Sequence, residues 1–157
     1  MSYQKVIIIG NLGGDPEMRY IPSGTAVTTL NVATKETIAK NDKPCPTGWK
    51  ESYNGKNWEL TTWFRVSVWG KRGESCNQYL KKGSQVQVEG KLKGTAVNGS
   101  QYPRIWTDGN GVPKASFELH AFNVVFLGGR GEGGGTSAPQ DQDEPPGYQE
   151  PSEEIPF

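Results

Sequence analysis

Histidine, cysteine and long apolar runs are all scarce in this sequence, and each scarcity removes a class of function. Of 157 residues only two are cysteine and one is histidine. Cys45 and Cys76 are too few for a disulfide framework and lack Cys-x-x-Cys spacing, so both are expected as free thiols in a reducing compartment. His120 has no cluster of ligands or triad partners around it in the sequence and reads as a packed or surface residue of a strand. No metal, no cofactor and no enzymatic activity are therefore expected. The run Val6 to Ile9 is only four residues long, far short of a signal-peptide core or a membrane span, which points to a cytoplasmic protein without membrane attachment. Gly10-Asn-Leu-Gly-Gly14 follows a strand, but no Gly-Lys-Ser/Thr comes after it, which rules against a phosphate-binding loop.

Basic residues are missing from one end of the chain. Residues 1–130 hold all 17 Lys and Arg with 10 acidic residues, whereas residues 131–157 hold the other 7 acidic residues and no basic one. A +7 body is thus joined to a −7 tail, and the formal net charge of zero conceals the split. A basic body suits a polyanionic partner. The apolar share, 33%, is low for a fully globular chain, and the shortfall has an evident source. Residues 129–157 contain six glycines and five prolines with no Val or Leu, too little apolar surface to offset the entropy of ordering, and are expected to stay disordered. The single arginine of Gly128-Gly-Arg-Gly-Glu-Gly-Gly-Gly135 makes that stretch a flexible linker rather than an RGG-type RNA-binding segment. Yet Glu153-Glu-Ile-Pro-Phe157 sets apolar residues beside acidic ones, which a mere spacer would not need.

Within the body, strand patterns recur. Lys5–Gly10 is a β-branched run closed by the turn residues Asn11–Pro16, and Met18–Ile21 is a brief extended piece. Thr25–Thr34 and Thr61–Trp69 alternate as strands. Between them, Lys35–Leu60 is rich in Lys, Asn, Pro and Gly and reads as a long loop. The spacing of Cys76, Tyr79 and Leu80, with two lysines and then Gly83, predicts a helix over 73–83. Ser84–Lys93 alternates again, a second long loop covers Gly94–Pro113, and Ala115–Leu127 is the last strand. The chain is accordingly all-β, with five main strands and one short helix between the third and fourth. The natural closed solution is a five-stranded Greek-key barrel of the OB type, whose face and loops bind oligonucleotides. Strand counting alone leaves an unrelated antiparallel barrel or sandwich open.

Side chains alternate across a strand. In the Trp63–Trp69 segment, Phe64, Val66 and Val68 form one face, an obvious core, and Trp63, Arg65, Ser67 and Trp69 form the other. Two tryptophans around an arginine on a solvent face have no folding rationale and mark an interaction site. Every base has a π-face and every nucleotide a phosphate, so aromatics beside cations suit a single strand of nucleic acid. Lys71 and Arg72 extend the charge, and Trp106 beside Arg104 repeats the pairing in the second loop. Trp49 near Lys50 and Trp58 near Lys56 are weaker instances, equally open to a packing role.

These residues also carry a family resemblance. Val6-Ile-Ile-Ile-Gly-Asn-Leu-Gly-Gly-Asp-Pro16, Trp63-Phe-Arg-Val-Ser-Val-Trp-Gly-Lys71, Tyr79-Leu-Lys-Lys-Gly-Ser-Gln-Val-Gln-Val-Glu-Gly90, Trp106-Thr-Asp-Gly109, Leu127-Gly-Gly-Arg130 and the terminal Glu-Glu-Ile-Pro-Phe together resemble bacterial single-stranded DNA-binding proteins (SSB). The resemblance implies an OB-fold DNA-binding domain over residues 1–128, a Gly/Pro-rich acidic linker over 129–152 and a partner-docking tip over 153–157. It implies a homotetramer, nucleoid-associated, that protects single-stranded DNA in replication, recombination and repair. By the same resemblance Trp63, Trp69 and Trp106 are stacking aromatics and Arg65, Lys71, Lys82 and Arg104 basic contacts. Glu153, Glu154, Ile155, Pro156 and Phe157 would dock replication, repair and recombination proteins. Ile38 stands where the family has a further stacking aromatic, and Trp49 and Trp58 are the candidates to replace it. The competing reading is an RNA-binding OB-fold protein such as an RNA chaperone, which has no evident use for an acidic-apolar tip. An OB-fold nuclease would need carboxylates clustered near the binding face, where the Trp63–Trp69 segment shows only cations and aromatics.

Overall fold

Five long strands wind into a barrel that closes on itself. The computed structural model describes residues 1–41 and 43–128; the expected disordered linker and the tip lie outside the described residues. In chain order the elements are β1 (Val6–Leu12), β2 (Glu17–Tyr20), β3 (Ala26–Ala39), β4 (Lys50–Glu51), β5 (Asn57–Trp69), α1 (Gly70–Tyr79), β6 (Gln85–Lys93), β7 (Thr95–Val97), β8 (Ser100–Tyr102), β9 (Arg104–Thr107) and β10 (Pro113–Phe126). The sheet runs β3-β1-β6-β10-β5, and β5 returns to pair with β3. Only the β5–β10 pairing in this circuit is parallel. This is the all-β, five-stranded OB barrel with one short helix that the sequence pattern led us to expect.

The alternation of apolar residues creates the barrel's interior. Leu30 and Val32 of β3, Val66 and Val68 of β5, Val86 and Val88 of β6 and Leu119 of β10 all face inward and are buried. Burying each such side chain contributes about 1.5–3 kcal/mol. Closure demands one close approach. A Cβ on Gly10 would lie 2.3 Å from the carbonyl oxygen of Ala33, so only glycine lets β1 cross onto β3.

The helix spans Gly70–Tyr79 rather than 73–83. It begins directly after Trp69 and ends early because Leu80 takes extended backbone (ψ 150°), which carries its side chain into the end of the barrel. Cys76 and Leu80 plug that end while Tyr79 is exposed, so two of the three spaced apolar residues are core. Lys81 and Lys82 fall beyond the helix. Burial pushes the Cys76 thiol up to about 11. The helix is tied to the barrel by the buried Thr28 hydroxyl, which donates to the carbonyl of Gly73 at 2.7 Å.

Both expected loops contain strand. β3 and β5 stay paired out to Ala39 and Asn57, and β4 adds to the edge of β5, so residues 35–39 and 57–60 form a projecting arm. Its cross-strand contacts explain why alternation is not visible there. Lys35 pairs with Glu59 at 3.3 Å, and Ile38 lies opposite Trp58, whose ring is covered by the Lys40 ammonium at 4.4 Å. Charge pairing and one covered indole hold the arm, instead of a run of aliphatic residues on one face. The second loop folds as the β7–β8 hairpin followed by β9, which doubles back on the first residues of β10.

Candidate nucleic-acid interface

The outer face of β5 follows from its alternation. Val66 and Val68 point into the core, and Trp63, Arg65 and Trp69 point out. Trp63 is 54% exposed, Trp69 37% and Trp106 42%, unusual values for indoles in a domain with a well-filled core. Trp63 lies edge-on against Gly13 in the turn after β1. A Cβ there would meet ring carbons at 2.3 and 2.5 Å, so the missing side chain is what seats the indole. The amide of Gly13 donates to the carbonyl of Asn31, fixing that turn beside β3.

Opposite this face stands the β9–β10 hairpin. A groove of about 700 Å³ separates the two, lined by Asn31, Thr61, Trp63 and Arg65 on one wall and Arg104 and Trp106 on the other. The hairpin holds its indole firmly. The Trp106 ring N–H donates to the Ser116 hydroxyl at 2.8 Å, and the Lys114 ammonium lies 6.0 Å from the ring centre. Asp108 shapes the turn by accepting the backbone N–H groups of Asn110 and Val112, and it pairs with Lys114 at 2.9 Å. The Lys114 hydrogen bond, followed by that from the Val112 amide, holds the Asp108 carboxyl below its ordinary range. The Trp-Thr-Asp-Gly sequence thus has a physical meaning: the Asp makes the turn that presents the Trp.

The walls are positive, with one counter-charge beneath. Glu118 is buried, lies in register between Arg65 of β5 and Lys93 of β6, and approaches the Arg104 guanidinium at 3.5 Å. Lys93 reaches across to donate to the Ser67 hydroxyl at 3.4 Å. Cations on four strands, Arg65 of β5, Lys93 of β6, Arg104 of β9 and Lys114 of β10, therefore converge on the groove and the face of β5 beside it, and flat aromatic faces stand among them.

Of the residues expected from sequence, the structure gathers Trp63, Arg65, Arg104 and Trp106 around the groove, with Trp69 further along the same face of β5. Lys71, at the start of α1, and Lys82, whose backbone N–H donates to Asp15, are exposed but do not line it. Trp49 and Trp58 lie off the groove, Trp58 on the face of β5 opposite to Trp63 and under Lys40. Glu153, Glu154, Ile155, Pro156 and Phe157 lie outside the described residues. Among the described residues no group of three or more His, Cys, Asp or Glu could hold a metal ion, and no helix is long and apolar enough to cross a membrane. Sequence reasoning missed Gly13, Asn31, Lys114 and Glu118. Parity on the last strand could have flagged Glu118, but nothing local marks the seat at Gly13.

A family model described as the single-strand binding protein family matches residues 3–127. The chain belongs to that family. Among solved structures it is similar to a deletion mutant of the single-stranded DNA binding protein from Thermus aquaticus, at 27% sequence identity and a TM-score of 0.52. The match covers 82% of this chain and 52% of that one, so the chain spans about half the length of the relative. Within this single-strand binding family fold, the groove and the β5 face are where aromatic and basic side chains meet.

Proposed function

We propose that this protein binds single-stranded DNA with little regard to sequence, along the outer face of β5 and through the groove to β9, and does no chemistry on it. One observation carries the reading: Trp63 and Trp106 are exposed across one groove, with Arg65 beside the first and Arg104 beside the second. Exposing two indoles is unfavourable for folding and is recovered when bases cover them, at about 1–3 kcal/mol per base. In this reading Trp63, Trp69 and Trp106 stack on bases, and Arg65, Lys71, Lys82 and Arg104 meet phosphates. Family membership and the Thermus aquaticus match support DNA over other polyanions.

The same reading includes a homotetramer. Ile7 and Ile9 are 55% and 53% exposed on the outer face of β1, and Val125 near the end of β10, across β6, and Leu127 just beyond it are exposed too. β1 pairs with β3 only at Asn11 and Leu12, so residues Val6–Gly10 have an edge open to a second copy. Exposed apolar side chains beside an open strand edge, with Gln87 and Glu89 of β6 between Ile7 and Ile9 and Val125, are an interface signature. The segment Glu153-Glu-Ile-Pro-Phe157 would dock replication, repair and recombination proteins, its carboxylates on basic residues and Phe157 in an apolar pocket. The protein would then guard single strands and recruit their processing enzymes at the nucleoid.

A titration of intrinsic tryptophan fluorescence with oligo-dT over a range of salt tests the central statement. Quenching is expected, with log K falling against log salt by about 0.7 per phosphate contact. A flat salt response, or affinity for duplex or RNA equal to that for single-stranded DNA, would overturn it. Sedimentation at micromolar concentration showing only monomer would remove the tetramer.

A further inference from the structure

The DNA-facing surface continues past Trp69 onto β10, where the one histidine of the chain is held between two rings. His120 stacks on Trp69 with ring centres 6.1 Å apart and planes at 22°, and Phe122 tilts against its other side at 6.3 Å. A β-bulge explains the second contact. The β10–β6 register passes from Ala121 opposite Gly90 to Asn123 opposite Glu89, so Phe122 is the extra residue and is left exposed on His120's side. In register, His120 lies between Ser67 of β5 and Lys91 of β6. Lys91 has no salt bridge among the described residues.

We propose that His120 is a further strand-contacting residue: with Lys91 it seats a backbone phosphate next to a base stacked on Trp69, and it takes up a proton from solvent on doing so. The inference rests on the DNA-binding reading above. The surrounding charges favour it. From β5 the nearest charged residue on this face is Arg65; from β6 they are Glu89, Lys91 and Lys93; on β10 itself it is Glu118; and Lys71 follows Trp69 at the start of α1. Both carboxylates have cationic partners, Glu89 with Lys5 at 2.6 Å and Glu118 with Arg104. His120 therefore sits in a net positive field. Burial first, then the charges of Lys91 and Lys93, lowers its pKa, so it is neutral at pH 7. A phosphate arriving beside Lys91 cancels that field and adds a negative charge, which raises the pKa in the complex. Binding and protonation are then linked, and affinity must rise as pH falls.

The experiment is calorimetric binding of oligo-dT to the full chain from pH 8 to 5.5, in two buffers of different ionisation heat. Thymine does not titrate in this range, so proton uptake reports the protein. The expected result is an association constant that rises as pH falls, by at most about tenfold per pH unit for one linked proton, with net proton uptake on binding within this range. Both effects should vanish in His120→Asn and in His120→Phe, the latter keeping a ring against Trp69 without a titrating nitrogen. Lys91→Gln should weaken binding and shrink the uptake. Wild-type binding without proton uptake, or uptake unchanged in both His120 variants, would overturn the inference. Failure to bind oligo-dT even at pH 8 would instead remove the DNA-binding reading itself.

Discussion

Replacing Gly13 by alanine tests the site at a residue with no functional group of its own. The new Cβ would stand 2.3 Å from Cζ3 and 2.5 Å from Cη2 of Trp63, where ordinary contact begins at 3.4 Å. The ring edge must therefore retreat by about 1 Å, and a displacement of roughly 0.5–1 Å forfeits about a quarter to a half of a van der Waals contact. Applied to a base stack of about 1–3 kcal/mol, that is a loss of about 0.3–1.5 kcal/mol, or roughly 2- to 12-fold in Kd. The fold should hardly notice. Trp63 is half exposed and free to yield toward solvent, so the change in stability should stay under about 1 kcal/mol, below the range for overpacked cores. Oligo-dT titrations of Gly13→Ala, Trp63→Ala and the double variant separate the possibilities. If Gly13 acts by seating the indole, the double variant binds as Trp63→Ala does. Wild-type affinity in Gly13→Ala, or fully additive losses in the double variant, would refute the reasoning.

Other consequences can be checked independently. Trp63→Ala and Trp69→Ala should each lose about 1–3 kcal/mol of oligo-dT affinity while thermal unfolding stays cooperative; unchanged affinity in either folded variant removes that residue from the site. A maleimide at pH 8 should label one thiol of the native protein, the exposed Cys45, and two after denaturation, because burial keeps the Cys76 thiol, at about 11, protonated and out of reach. Thr28→Val should lower unfolding free energy by about 1–3 kcal/mol, since the Gly73 carbonyl loses its buried donor, with oligo-dT affinity unchanged. Deleting residues 150–157 should abolish capture of repair and replication proteins while DNA affinity stays equal or tightens slightly, the gain shrinking at high salt; weaker DNA binding with partners retained would contradict the docking role.

Much of this was written locally. A period of two along Trp63–Trp69 suffices to put Val66 and Val68 inside and Trp63, Arg65 and Trp69 outside, because neighbouring peptide units on a strand must face opposite ways. The β-branched runs that became β1, β3, β5, β6 and β10 are likewise local, and with one helix between the third and fourth they narrow the fold to a small antiparallel barrel or sandwich without choosing between them. The division of charge between body and tail needs no structure at all. The arm of β3 and β5 escaped notice because its stability lies in cross-strand pairs such as Lys35 with Glu59, which leave no periodic trace in either strand alone.

What the tertiary structure alone decided are the meetings between distant segments. Trp106 became the far wall of a groove only when β9 folded back on β10, and Trp63 acquired a defined orientation only from a glycine fifty residues earlier in the chain. His120 came to lie between Trp69 and Lys91 because the barrel sets β10 between β5 and β6. Each of these depends on which strands become neighbours and in which register. That is settled by closure of the barrel around its shared core, a global free-energy minimum that no short window of sequence contains.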